Sequence, residues 1–164
     1  MADIKFSGFT TGATTANTLI VGYDSVANTN DQYTLAQVAT GLKEHLVESF
    51  IVAASDEATA LTTGVKATFR MPYAFTVTAV RGSLTTAGTG VNLVTVDINE
   101  GGSTILGDKI TFTATETTST TAVAQPTITD ASLADDAQMT IEIDQIDSGG
   151  VSAGLKVTLI GYQT

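Results

Sequence analysis

Apolar and polar residues alternate with a period of two along most of the chain from about residue 50 to its last residue. The pattern is plain in residues 65–71 and 75–84, where Val65, Ala67, Phe69, Met71, Phe75, Val77 and Ala79 are interleaved with Lys, Thr and Arg. It returns in residues 93–98, 109–113, 122–124, 139–146 and 155–160. Side chains two apart on a strand share one face, so each run predicts a strand with one apolar and one polar side. Gly, Asn and Asp clusters at 87–90, 99–102, 130–136 and 147–150 separate the runs as turns. About seven or eight strands at this spacing, with no long helix between them, predict an antiparallel sandwich, and eight strands in two sheets favour a jelly roll. Pro72 falls between two predicted strands, where a missing N–H does little harm.

The one helical pattern precedes the strands. Leu35, Val38, Ala39, Leu42 and Leu46 follow i, i+3, i+4, i+7 spacing. Thr34 followed by Gln37 makes a capping box at the start. Gly41 inside this stretch costs roughly 1 kcal/mol against alanine, while its lack of a Cβ allows close approach of another helix. A helix of about four turns is marginal alone in water, so the apolar face needs a partner: either the β domain or copies of itself around an axis.

The first thirty residues are rich in Gly, Thr, Ala and Asn and hold apolar residues without sustained period: Ile4, Phe6, Phe9, Leu19, Ile20, Val21 and Tyr23. Such a segment buries too little to offset its own ordering entropy. It reads as a strap that orders against a partner, or as a frayed terminus. The expected organisation is therefore an extended N-terminal arm at 1–32, a short helix or oligomerisation segment at 33–50, and a jelly-roll-like sandwich at 51–164.

Composition narrows the chemistry. Thr supplies about a fifth of the 164 residues, consistent with strands. There is no Cys and one His, so disulfides, thiolate nucleophiles and Cys- or His-pair zinc motifs are excluded. Seven basic residues against 17 acidic ones give a net charge of −10, which disfavours nucleic acid as a partner. No apolar run reaches the roughly 18–20 residues of a membrane span, and the first residues lack the charged and apolar regions of a secretory leader. No 20–50-residue repeat, P-loop or G-x-S-x-G elbow is present.

Three acidic groupings invite a chemical reading. Asp97, Gly102 and Asp108 fall at positions one, six and twelve of a calcium loop, but Gly101 brings no side-chain ligand and the flanks read as strands, so a hairpin turn is the better reading. Asp130, Asp135 and Asp136 around Ser132 fit a solvated helical turn with Leu133 as an inward plug better than a cation site. Glu142 and Asp144 share the outer face of a strand whose Ile141 and Ile143 point inward; the pair invites a glycoside-hydrolysis reading, yet solubilising charge explains it more simply. His45 lies on or beside the helix stripe, where three copies would approach an axis.

The stretch Phe69-Arg70-Met71-Pro72-Tyr73, continuing to Arg81, resembles a strand–turn–strand of structural proteins of tailed bacteriophages. Residues 96–106, 130–137, 141–146 and 154–161 are similar as well, so the resemblance covers roughly the last two-thirds of the chain. It implies a non-enzymatic virion protein without cofactor or metal. With one short arm, one helix and one sandwich, it further implies a trimeric capsid decoration (cement) protein that binds the major capsid protein on the outer shell, with no membrane or nucleic-acid partner, made in the host cytoplasm. In that reading Ile4, Phe6 and Phe9 anchor the arm on the capsid, and Leu35, Val38, Leu42, His45 and Leu46 form the trimer interface. The alternative is the tip of a tail or head fibre that binds a host surface glycan through loops near Asn99 and Gly149; a glycan-active enzyme using Glu142 and Asp144 is the third.

Overall fold

Period-two runs become paired strands wherever a second apolar face closes over them. The computed structural model describes residues 19–24, 29–43 and 46–164. In chain order the elements are β1 (Leu19–Asp24), β2 (Thr29–Thr34), α1 (Leu35–Lys43), β3 (Glu48–Ala53), β4 (Gly64–Arg70), β5 (Phe75–Ser83), β6 (Val94–Glu100), β7 (Ser103–Thr104), β8 (Leu106–Asp108), β9 (Ile110–Phe112), a 3-10 turn (Ser119–Thr121), β10 (Thr127–Ile128), β11 (Ser132–Leu133), β12 (Gln138–Gln145) and β13 (Lys156–Gln163). They fall into two units, Met1–Leu42 and Lys43–Thr164.

In the larger unit one sheet has the order β11-β5-β13-β3 and the other β4-β12-β6-β7, with β9 also on β6. All pairings are antiparallel. Successive long strands β3, β4, β5 and β6 alternate between the sheets, and so do β11, β12 and β13. This is the connectivity of a jelly roll, two Greek keys wound together. The expected fold class therefore holds for this unit.

The core lies between the sheets. Phe75, Val157 and Leu159 from one sheet and Val96, Ile98, Met139, Ile141 and Ile143 from the other are fully buried. Burying a side chain of this size contributes about 1.5–3 kcal/mol relative to leaving it in water. Along β12 the burial alternates residue by residue, with Met139, Ile141 and Ile143 inside and Thr140 and Glu142 outside. Phe50 meets the Phe75 ring edge-on at 5.0 Å, and Tyr73 closes that corner with its hydroxyl 2.5 Å from Glu48 Oε2. At the β6–β7 hairpin Gly101 and Gly102 have φ of 56° and 88°, the two positive values a type I′ turn demands. Asn99 to Gly102 is thus a hairpin, as its composition implies.

Four expectations need correction. Residues 19–32, read as part of an extended arm, belong with Tyr33 and Thr34 of the next segment to the antiparallel β1–β2 hairpin, in register from Leu19 opposite Thr34 to Asp24 opposite Thr29. The helix stops at Lys43 instead of running on through Leu46, because residues 48–53 pair with β13 as β3. The sandwich thus begins at Glu48, within the stretch assigned to the oligomerisation segment. Residues 122–124 are not a strand: Val123 is 98% exposed, and Gln125 Nε2 donates to the Ser119 and Ala122 carbonyls at 3.2 and 2.7 Å, curling the loop after the 3-10 turn. Around Asp130 the chain forms β11, not a helical turn, although Leu133 is the expected inward plug at 1% exposure.

Gly161 shows how tightly the corner is built. A Cβ there would lie 1.9 Å from the Thr76 carbonyl oxygen and 2.8 Å from Phe75 Cε1. Backbone cannot yield as a flexible side chain does, so we expect Gly161→Ala to lower unfolding free energy by about 3 kcal/mol or more. Urea denaturation of the two proteins measures this; equal midpoints would show that β5 and β13 can move apart there.

Candidate assembly interface

Helix α1 carries the residues chosen from sequence for self-association. Its start is the predicted capping box, formed in both directions: Gln37 N–H donates to Thr34 Oγ1 at 3.1 Å, and Thr34 N–H donates to Gln37 Oε1 at 2.8 Å. Lys43 in the last turn complements the negative end of the helix dipole. Leu35, Val38 and Leu42 fall on one face, as i, i+3, i+7 spacing requires. Yet no residue of the helix is buried, and Leu42 is 52% exposed. Leu46 and Val47, just past the helix, are 63% and 70% exposed. The structure therefore brings Leu35, Val38 and Leu42 together as a stripe and places Leu46 off the helix. Ile4, Phe6, Phe9 and His45 lie outside the described residues.

The acidic groupings resolve into internal structure. Asp97, buried on β6, accepts from Ile98 N–H at 2.8 Å and from the Thr104 hydroxyl at 2.6 Å. Lys109 Nζ lies 2.9 Å from Asp97 Oδ2 and 2.5 Å from Asp144 Oδ2. Hydrogen bonds to Asp144 and then Asp97 hold the Lys109 ammonium in its charged form, raising its pKa. Asp97 also stands opposite Glu142 in the β6–β12 register, and Lys109 supplies the positive charge beside that like-charged pair. Asp144 is thus one side of an ion pair, and Asp97 points at Lys109 and Thr104, not into an open loop. Among the described residues no cluster of three or more His, Cys, Asp or Glu is arranged to hold a metal ion. Among them, too, no helix is long and apolar enough to cross a membrane.

Asp147, read from sequence only as part of a turn, is the buried carboxylate that binds two loops together. Its Oδ2 accepts from Thr89 N–H at 3.0 Å and Val151 N–H at 3.3 Å, and its Oδ1 accepts from Ser152 N–H at 3.2 Å and the Ser152 hydroxyl at 2.5 Å. Gly88 makes room for it: a Cβ there would sit 2.7 Å from Asp147 Cβ. Burial pushes its pKa up, but the Ser152 hydroxyl and the N–H groups of Thr89, Ser152 and Val151 outweigh burial and bring it down to about 2. The only sequence signal for this role is Asp-Ser-Gly-Gly, which any exposed turn also shows.

The depressed pKa fixes a pH dependence. An unfolded aspartate titrates near 3.8 and this one near 2, so its contribution is complete above about pH 4 and is lost as pH falls through 2. The shift corresponds to about 2 kcal/mol. We expect Asp147→Asn to cost about 2 kcal/mol at pH 6, with the gap to the unsubstituted protein closing as pH approaches 2. Urea titrations across that range report it; a gap independent of pH would show that the carboxylate's charge is not what the loops need. In comparisons with known proteins, no family model, curated protein or solved structure matches this chain.

Proposed function

We propose that the chain is a non-enzymatic, homotrimeric decoration protein that stabilises the outer surface of a tailed-phage capsid. The observation that carries this reading is the apolar stripe of half-buried Leu35 and Val38 and exposed Leu42 on a helix that is properly capped but has no fully buried residue. Nine residues are too few for a helix to persist on its own propensity, so its stability must come from packing. Three copies around an axis bury three such stripes at once. A jelly roll suits the projecting part, since shell and lectin domains both use it, although a fold does not by itself assign a role. In this reading Ile4, Phe6 and Phe9 are the anchors to the major capsid protein, and three weak anchors on one trimer bind jointly through high effective concentration.

Sedimentation velocity of the full chain should give a trimer. We expect Leu35→Asp combined with Leu42→Asp to yield a monomer whose circular dichroism keeps its β signature. The trimer should co-sediment with capsid shells of the particle it comes from, in hundreds of copies per shell, and the monomeric variant should bind at least about a hundredfold more weakly through lost avidity. A monomeric parent chain that ignores the shells, or occupancy of only a few copies per particle, overturns the proposal.

A further inference from the structure

We propose that a groove beside β5 binds the carboxylate of an acidic sugar, with Arg81 as its anion-recognising residue; this does not depend on the capsid reading. The groove holds about 490 Å³ and is lined in part by Thr78, Arg81, Thr120, Gln125, Pro126 and Ile128. Its size falls within the range of small-ligand sites. Arg81 is exposed, and its guanidinium has no hydrogen-bond or ion-pair partner among the described residues. The other arginine, Arg70, lies 3.5 Å from Asp136, while Lys109 and Lys156 are each paired with carboxylates. In a chain with 17 acidic and seven basic residues, an exposed guanidinium with no carboxylate beside it can take up an anion from solution.

Arg81 reaches this position through one extra residue. On β5, Phe75 and Val77 point inward, and strict alternation would also turn Ala79 and Arg81 inward. Instead the β5–β13 register slips: Gly161 is opposite Val77 and Ile160 opposite Ala79, leaving Thr78 unpaired as a bulge. Beyond it Val80 and Gly82 are buried and Arg81 faces out. The bulge also turns a backbone donor. Val77 N–H donates to Ala131 O at 2.8 Å and Gly82 N–H to Ser119 Oγ at 2.9 Å, both on the edge of β5 away from β13. With one inserted residue between them, the Val80 N–H falls on that same edge, among the groove residues.

The chemistry favours one carboxylate on a hydroxylated ring. A guanidinium fork matches a carboxylate in two parallel hydrogen bonds. The surrounding net charge of −10 disfavours a polyanion, so a single negative charge on a mostly neutral ligand is the better match. Gln125 spends its amide N–H groups on backbone carbonyls, which leaves its Oε1 to accept from a sugar hydroxyl. Thr78, whose hydroxyl donates to the Ile160 carbonyl, and Thr120, whose hydroxyl pairs with that of Thr118, complete the polar wall with their remaining lone pairs, and Pro126 and Ile128 offer a small apolar one.

The test is an NMR titration of the 15N-labelled full chain with sodium glucuronate, with glucose and sodium acetate as separate arms. Saturable shifts centred on Val80, Arg81, Thr120 and Gln125 are expected with glucuronate, at millimolar affinity. Arg81→Gln should weaken binding at least about tenfold, and Arg81→Lys should fall between the two, since it keeps charge but loses the fork. Neither substitution should change the melting temperature, because Arg81 holds no partner. Equal binding of glucose, acetate binding as tightly as glucuronate, or unchanged affinity in Arg81→Gln each overturns the proposal.

Discussion

Two antiparallel sheets can share a core only if their inward rows interdigitate across about 10 Å, and here one of those rows depends on how closely β5 and β13 of the same sheet approach at one corner. Phe75 fills the end of the core, and Gly161, opposite Val77 and close against the Thr76 carbonyl, has no side chain to hold the strands apart. The register slip between β5 and β13 lies at this corner, where Gly161 is the inward residue of β13. A bulge inverts the inward and outward sets of every residue beyond it. The same slip that seats Val80 inside therefore places Arg81 outside. Core packing and surface chemistry on β5 are two consequences of one inserted residue.

The acidic composition is managed by two different devices. Asp97 has a cation close by, and Lys109 bridges it to Asp144 on the neighbouring strand. Asp147 has no cation; three backbone N–H groups and one hydroxyl carry its charge. The first device needs a long side chain from β8's far end and tolerates partial exposure. The second needs a loop whose N–H groups converge, and it organises the 85–92 and 147–153 segments as it does so. A buried carboxylate left with neither would be neutral or would not be buried. Among the residues with described side chains the other acids stay near water, where their mutual repulsion is screened.

Most of the sandwich is legible in the sequence because its strands bury one face each, so period two survives in the residue order. The runs at 65–71, 75–84, 93–98, 139–146 and 155–160 match β4, β5, β6, β12 and β13 to within a few residues. The capping box was legible too, since Thr34 and Gln37 act through local geometry alone. Elsewhere longer-range partners decide. β2, Thr-Asn-Asp-Gln-Tyr-Thr, has no apolar alternation and becomes a strand by pairing with β1. Glu48 to Ala53 follows the helix without a breaker and turns into β3 only because β13 offers it an edge. Of the candidate site, the Leu35, Val38 and Leu42 stripe followed from helical spacing. Leu46 did not, and Arg81 was invisible because alternation cannot announce where a bulge falls.

The helix and the sandwich solve the burial problem in opposite ways. In the sandwich the long strands β5, β6, β12 and β13 close their apolar faces within the same chain, and side chains as large as Phe75 and Met139 reach zero exposure. In α1 the cap and the dipole are both correct for a helix, and still no side chain is fully buried. Local consistency without full burial is the feature on which the proposed self-association rests. Covering what Leu42 exposes, and the smaller remaining exposure of half-buried Leu35 and Val38, would contribute up to about 1.5–3 kcal/mol for each side chain fully removed from water. Repeated around a three-fold axis, that sum is comparable to the association entropy it must overcome. A nine-residue helix can therefore specify an assembly that none of its own local interactions would hold, provided every copy supplies the same stripe.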